Sequence, residues 1–257
     1  MAGSIVQSKF NEAAAAATTI ATGSFGSNVT ANNWLWILVN GDAADTTTIT
    51  QNSGTATIGS VTQQSSSIGP GPGILEEWTS LTCQITGTGS LDLLCTFGGS
   101  RSNRQILAFE ISGVTGVDSG GGTSQTDGGS NPTPTLTINV ANQPSFCLAA
   151  CVDYQGGTPG VGTGFTSAGT FGATVHLIRA QTKAVTATGN TTGNFVNGAI
   201  DVNNAAMIVF DEPSTPTISA QPVQQTAASG ATATFNTTTT GATSFQWQEQ
   251  VSGAWTN

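Results

Sequence analysis

From Trp34 to Val39 the chain reads WLWILV, six apolar residues without a polar interruption. Side chains on a β-strand alternate between two faces, so a strand with this sequence has no face to offer water. It has to be a central strand, covered on both sides. The stretch Ser145–Tyr154 makes the same demand in smaller residues. Phe146, Leu148, Ala150 and Val152 form one row, while Cys147, Ala149 and Cys151 form a second that is small and uncharged. A strand with one wet face would carry polar residues in its outer row, so burial on both faces is expected here too.

Other strand segments surround these two. Trp78–Ile85 and Leu91–Phe97 flank the turn-like TGTGS and predict a β-hairpin. With a three-residue loop in that hairpin, Cys83 and Cys95 stand opposite each other on the core face. Gln105–Ile111 is a strand ended by Ser112-Gly113, and Thr135–Val140, Val175–Ala180, Ala184–Thr188 and Ala205–Asp211 bring the set to about ten. Asp118–Pro134 lacks periodicity and predicts a long exposed loop. Helical periodicity is nearly absent. The alanine run within Asn11–Ala17 has helix propensity, but the TTIATGSF after it is β-type, so a strand is expected through this region. Strands separated by turns, with no helices between, predict an all-β fold: an antiparallel, jelly-roll-like sandwich over residues 1–212.

Charged residues make up 7% of the chain, hydrophobic residues 37%, and the net charge is −9. Disorder by self-repulsion needs more charge and less apolar content. Five basic residues cannot build a phosphate-binding groove, so no nucleic-acid partner is expected. No apolar run approaches the roughly 20 residues of a membrane-spanning helix, and no membrane partner is expected. The opening MAGSIVQSKF lacks the basic-then-apolar layout of a secretory signal, and the reading favoured here is a protein made and used without such export.

No constellation of residues supports chemistry, so the expectation is a non-enzyme with no catalytic, cofactor-binding or metal-ligating residues. His176 is the single histidine, and its surroundings hold no nucleophile or orienting carboxylate motif. Glu76 and Glu77 are adjacent and point to opposite faces of a strand, so they cannot act as a carboxylate pair. Glu110, on an apolar strand, is expected to accept hydrogen bonds from loop amides or from an arginine such as Arg104. Asp42 and Asp45 lack the ligand spacing of a calcium loop and suit a solvated turn. The glycine clusters at 69–73 and 119–124 lack the Lys-Ser/Thr and helix of a phosphate loop. Trp34, Trp36 and Trp78 suit core packing better than a sugar-stacking platform. Cys83, Cys95, Cys147 and Cys151 do not have zinc spacing. Buried thiols are the leading reading, with one or two disulfides as the alternative.

Two stretches carry a resemblance. IVQS at the start, FGSNVTANNWLWILVNG, the Trp78 strand, ILAFEISGV at 106–114 and AAMIVFDEP make residues 1–212 similar to a β-sandwich module of bacterial surface proteins and bacteriophage virion proteins. Pro213 and Pro216 mark a linker at 213–217. Beyond it PTISAQP, GATATF at 230–235, FQWQ at 245–248 and SGAW at 252–255 resemble the first strands of a bacterial or phage immunoglobulin-like domain, with Trp247 at the place of its core tryptophan. Residues 218–257 are thus expected to form an incomplete Ig-like domain, either trimmed from a longer one, which is the favoured reading, or completed by a neighbouring chain. The resemblance implies a virion structural protein on the outer surface of a phage particle, made in the host cytoplasm: a capsid decoration or head-fibre component. Its expected partners are copies of itself, the major capsid protein, or a cell-surface glycan. The alternative is a bacterial surface adhesin or carbohydrate-binding module.

Overall fold

The computed structural model describes residues 2–42, 47–68, 76–128, 134–154, 157–173, 176–196, 202–214, 216–220, 223, 225–240, 246, 249–251 and 254–256. The chain divides into two compact units, Met1–Glu212 and Pro213–Asn257. No helix forms among the described residues, and every strand pairing is antiparallel, as the strand-and-turn pattern predicts.

In the first unit, β1 (Ser4–Ala13) and β2 (Ala17–Ala21) are split by Ala14–Ala16, so the alanine run crosses between two strands. Then come β3 (Trp34–Asp42), β4 (Thr47–Gly54), β5 (Thr57–Ile58), β6 (Thr62–Ile68), β7 (Glu76–Gly87), β8 (Leu91–Arg101) and β9 (Arg104–Ser112). The larger sheet runs β1-β9-β3-β7, with β6 and β5 both on the far edge of β7, and the smaller sheet is β2-β8-β4. The first strand lies beside the last and the second beside the last but one, which is the wrapping of a jelly roll.

Gly113, at a φ of 73°, then turns the chain away, in a backbone region glycine enters without penalty. The same pattern starts again with β10 (Gly116–Gly128), β11 (Thr135–Val140), β12 (Ser145–Asp153), β13 (Gly160–Val161), β14 (Thr166–Phe171), β15 (Leu177–Val185), β16 (Gly189–Val196) and β17 (Val202–Asp211). Its larger sheet is β10-β17-β12-β15-β14 and its smaller sheet β11-β16-β13. Strand for strand, this is the order of the first half. The register agrees as well. Trp34 stands between Ile111 and Gln84 as Phe146 stands between Phe210 and Ala184. The register shifts after Ile5 in β1 and after Val117 in β10, and β6 and β14 bulge at matching places. Two jelly rolls of the same topology occupy the unit.

Their larger sheets pack face to face, so the unit has four layers and three cores. The central core joins Trp36, Leu38, Trp78 and Phe109 of the first half to Leu148, Val152, Ile178 and Ile208 of the second. One outer core lies between β3-β7-β9 and the β2-β8-β4 sheet, with Leu35, Ile37, Leu81, Leu93 and Cys95. The other lies between β12-β17 and the β11-β16 sheet, with Leu136, Ile138, Ala149, Met207 and Phe195. Phe10 of β1 touches Phe171 of β14, and Gln64 of β6 lies against Gly122 of β10. Because β1 corresponds to β10 and β6 to β14, the halves are related by an approximate two-fold axis running between β3 and β12. The single sandwich expected for 1–212 is thus two sandwiches back to back. β3 is covered on both faces and β12 is buried at every position, as their sequences require.

Three local expectations change. The segments around TGTGS do not form a hairpin. β7 already has β3 on one edge and β6 and β5 on the other, so the chain crosses to the opposite layer, where β8 pairs with β2 and β4. Cys83 and Cys95 do face one core, but from two sheets. The predicted loop from Asp118 contains strand β10 as far as Gly128, and residues 129–133 lie outside the described residues. Its Gly, Ser and Thr residues carry no alternation, and pairing with β17 makes it a strand. The two strands expected within 175–188 are one, β15. Gln181 interrupts its apolar pattern and is fully buried, with its amide bonded to Asn194 O and Gly162 N across the layer; Val175 lies outside the described residues.

The second unit shows two short antiparallel ribbons, β18 (Thr217–Ala220) with β19 (Thr238–Thr240) and β20 (Glu249–Val251) with β21 (Ala254–Thr256). Ile218, Val223 and Phe235 are exposed, and Trp247 lies outside the described residues.

Leu148 is buried in the central core that both sandwiches share. Leu148→Ala should cost about 3 kcal/mol through lost burial and the cavity left behind. In chemical denaturation followed by circular dichroism, the loss should move residues 1–212 through one cooperative transition. A variant in which one half melts well before the other would contradict a shared core.

Candidate functional site

The buried polar groups show what this framework does with its few charges. Glu110 in β9 has no exposed surface. Its Oε1 accepts from the Thr30 backbone N–H at 2.8 Å and from Asn33 Nδ2 at 2.6 Å, and its Oε2 accepts from Gln7 Nε2 at 2.7 Å. Loop amides surround it, as expected. Arg104, the other partner foreseen, turns elsewhere: its guanidinium donates to the Thr19 and Ala15 carbonyls and ties β2 to β9. Glu110 thus fixes the 27–33 segment against β1 and β9. Three amide donors converge on one carboxylate, and such charge-assisted bonds are about twice as strong as neutral ones.

A second polar group links the two sandwiches. Tyr154 Oη donates to Asn40 Oδ1 at 3.2 Å and accepts from Asn204 Nδ2 at 2.8 Å. Asn40 Nδ2 donates to Gln105 Oε1 at 3.3 Å, and Gln105 Nε2 donates to the His176 carbonyl at 2.7 Å. The His176 ring stands edge-on to Tyr154, with centroids 4.9 Å apart. Asn40, Gln105 and Asn204 are buried, so these bonds offset the cost of taking amides out of water. The histidine therefore packs as part of this joint between the halves.

The remaining expected residues are placed as follows. Trp36 and Trp78 are fully buried, and Trp36 donates Nε1–H to Ser80 Oγ at 2.7 Å, so neither belongs to an exposed sugar platform. Trp34 is partly buried against the central core. Glu77 accepts from the Thr79 hydroxyl; the side chains of Glu76 and Asp42, and all of Asp45, lie outside the described residues. So does the 69–73 glycine cluster, while the 119–124 cluster falls within β10. No disulfide joins the four buried cysteines, and burial pushes the Cys83, Cys95 and Cys147 thiols up to about 12. Such thiols pack as small apolar residues. Among the described residues no cluster of His, Cys, Asp or Glu has the makings of a metal site.

One pair escaped the sequence reading. Asp118 in β10 and Asp211 at the end of β17 interact, each shifting the other's ionisation. Burial opposes ionisation of Asp118, but the backbone N–H groups of Gly120, Ala141 and Asn142, together with Asp211, outweigh it and hold its carboxyl below the usual value. Asp211 is pushed the other way, to about 6, by burial and by the hydrogen bond and charge of Asp118, partly offset by Asn142. Two carboxyls that interact in this way disfavour being ionised together. The pair is 93 positions apart in sequence (211 − 118), and only the β10–β17 pairing brings it together. It anchors the 141–142 turn before β12.

Two predictions follow from these clusters. Glu110→Gln replaces one acceptor oxygen with an N–H donor that faces other donors, and should cost about 2 kcal/mol in denaturant unfolding. The Asp211 carboxyl holds its proton more tightly folded than unfolded. Its contribution is complete below about pH 4 and is lost as pH rises through about 6. Asp118 has the opposite sense, contributing above its ordinary value and losing that only in stronger acid. Asp211→Asn should therefore flatten the fall in stability between pH 4 and 7 and raise stability at pH 8, by about 1 kcal/mol after solvent screening. Melting curves across that range check it; an unchanged pH slope would contradict the interaction of the two carboxyls. Compared with known proteins, the chain matches no family model, no curated protein and no solved structure.

Proposed function

We propose that the chain is a non-catalytic structural protein of a bacteriophage particle, a capsid decoration or head-fibre component that attaches through residues 1–212 and displays the segment beyond them. The observation that carries this reading is where the polar side chains go. Glu110, Arg104, Gln105, Tyr154 and Asn204 use their hydrogen bonds to hold the chain's own strands and loops in register. A four-layer body stiffened in this way suits a part that bears load. Its strands β4, β6 and β14 are rich in Ser and Thr. Such neutral surface can be covered by a neighbour without the desolvation cost of buried charge. The resemblance of residues 1–212 to phage and bacterial-surface sandwich modules, and of 216–257 to Ig-like domains, supports the same reading. The bacterial adhesin is the second reading, and the fold suits it equally.

Purified chain mixed with undecorated particles should co-sediment with them and add density to the outer shell in electron cryomicroscopy. A specific contact should bury more than about 1,000 Å². Absence of the chain from purified virions by mass spectrometry, together with no binding to particles, would overturn the proposal in favour of the adhesin.

A further inference from the structure

The two halves diverge at one edge of the central core, and the divergence leaves a hollow. In both larger sheets the edge strand carries a one-residue bulge. The inserted residue is Gln64 in β6, between the pairs Gln63–Leu81 and Ser65–Ser80. In β14 it is Ala168, between Ser167–Gln181 and Gly169–Ala180. Thr82 and Thr182 occupy equivalent places beside these bulges, as do Trp34 and Phe146 on the next strands. In the first half the space is filled. Gln64 Nε2 donates to Thr82 Oγ1 at 2.7 Å, Gln64 packs on Gly122, and the Trp34 ring reaches over Gly116. In the second half a methyl group replaces the amide and a phenyl ring replaces the indole. What remains is an open hollow of about 370 Å³ lined by Ser4, Ile5, Phe146, Ser167, Ala168 and Thr182. Gly3 completes the rim. A Cβ there would fall 2.5 Å from Phe146, and its backbone N–H is held by Glu212 Oε1 at 2.7 Å.

We propose that this hollow binds one neutral, hydroxyl-bearing ring: a pyranose residue of a glycan. Its volume falls within the roughly 300–1,000 Å³ of small-molecule sites. Among the described residues no ionisable side chain lines it, Glu212 and Arg179 being spent on Gly3 and Ser167 behind the wall, which disfavours an anion or cation. The lining pairs an apolar floor, made by Phe146, Ile5 and Ala168, with the hydroxyls of Ser4, Ser167 and Thr182. A pyranose presents the matching surfaces, a face of C–H groups and an equator of hydroxyls. The Thr182 hydroxyl has no side-chain partner among the described residues, whereas its equivalent Thr82 accepts from an amide. A sugar hydroxyl can donate in that place. Ser167 Oγ accepts from Arg179 Nη1 at 3.2 Å, which leaves its own proton for a ligand oxygen.

This site does not depend on where the protein is used, and its test is separate from that of shell attachment. The full chain, isotope-labelled, is titrated with methyl glycosides of glucose, galactose, mannose and N-acetylglucosamine, and with acetamide as the amide control. At least one glycoside should give saturable amide shifts at Ser4, Ala168 and Thr182, with a Kd on the order of millimolar for so small a ligand. Ala168→Gln supplies the side chain that fills the other half, and Thr182→Val removes the hydroxyl at nearly constant shape. Both should weaken binding at least tenfold, and Ala168→Gln should melt no lower than the parent chain. The proposal fails if no glycoside gives saturable shifts at about 100 mM, far above the expected Kd. It fails also if neither variant weakens binding, or if acetamide binds more tightly than every glycoside, since the hollow would then take an amide side chain.

Discussion

Everything in residues 1–212 depends on the central core, where the larger sheets of two jelly rolls press on each other. A sheet with one wet face could stand alone in a two-layer sandwich, but these sheets cannot, because both of their faces are apolar. The packing across the interface is complementary in size. The first half contributes Trp36, Trp78 and Phe109, and at the matching positions the second half carries the smaller Leu148, Ile178 and Ile208. Rings in one half and smaller aliphatic side chains at the matching places in the other let the layer fill at the density protein interiors need. Trp36 stacks on Phe109 with centroids 5.9 Å apart, and Phe171 meets Phe109 edge-on at 5.7 Å. The aromatic cluster thereby extends from β3 through β9 to the edge strand of the other half.

Apolar packing is not directional, so it does not by itself choose one relative position for the two sheets. The polar joint of Asn40, Gln105, Tyr154 and Asn204 does, because each bond demands its own geometry. Buried amides and a phenol left without partners would each cost on the order of 1–3 kcal/mol. A slipped arrangement of the halves would break several of these bonds together. The same economy explains Glu110: its equivalent in the second half is Val209, an ordinary core residue. The carboxylate is present only where the long 22–33 connection needs an anchor.

Topological repetition with divergent residues accounts for both the rigidity and the asymmetry of the body. Many positions that face the cores stay apolar in both halves but exchange size, as with Trp36 and Leu148, or Trp78 and Ile178, while Leu81 and Glu110 are matched by Gln181 and Val209. At the rims the exchange has a different consequence. Gln64 and Trp34 close one edge of the central core, while Ala168 and Phe146 leave the other open. A surface hollow of this kind follows from the loss of side-chain volume at two matching positions, with no change in backbone plan.

Residues near to each other in sequence determined the strands and their faces. Trp34–Val39 and Phe146–Val152 specify burial on both sides because the period of a strand is two, and Ser112-Gly113 ends β9 because glycine alone turns there at no cost. Those two doubly apolar segments already imply more than two layers, since one sandwich covers only the inner face of each sheet. Among the strands that alternation missed, β4, β6, β10, β14 and β16 are rich in Ser, Thr and Gly, whose side chains mark no face, and β5 and β13 are only two residues long. Only pairing to a neighbour makes them strands. Which edges were still open was decided in three dimensions too, so TGTGS bridges two layers instead of closing a hairpin. The partners of Glu110, the interaction of Asp118 with Asp211, and the hollow beside Thr182 all join residues from separate strands. Each rests on a register between distant segments, which no local spacing in a single sequence records.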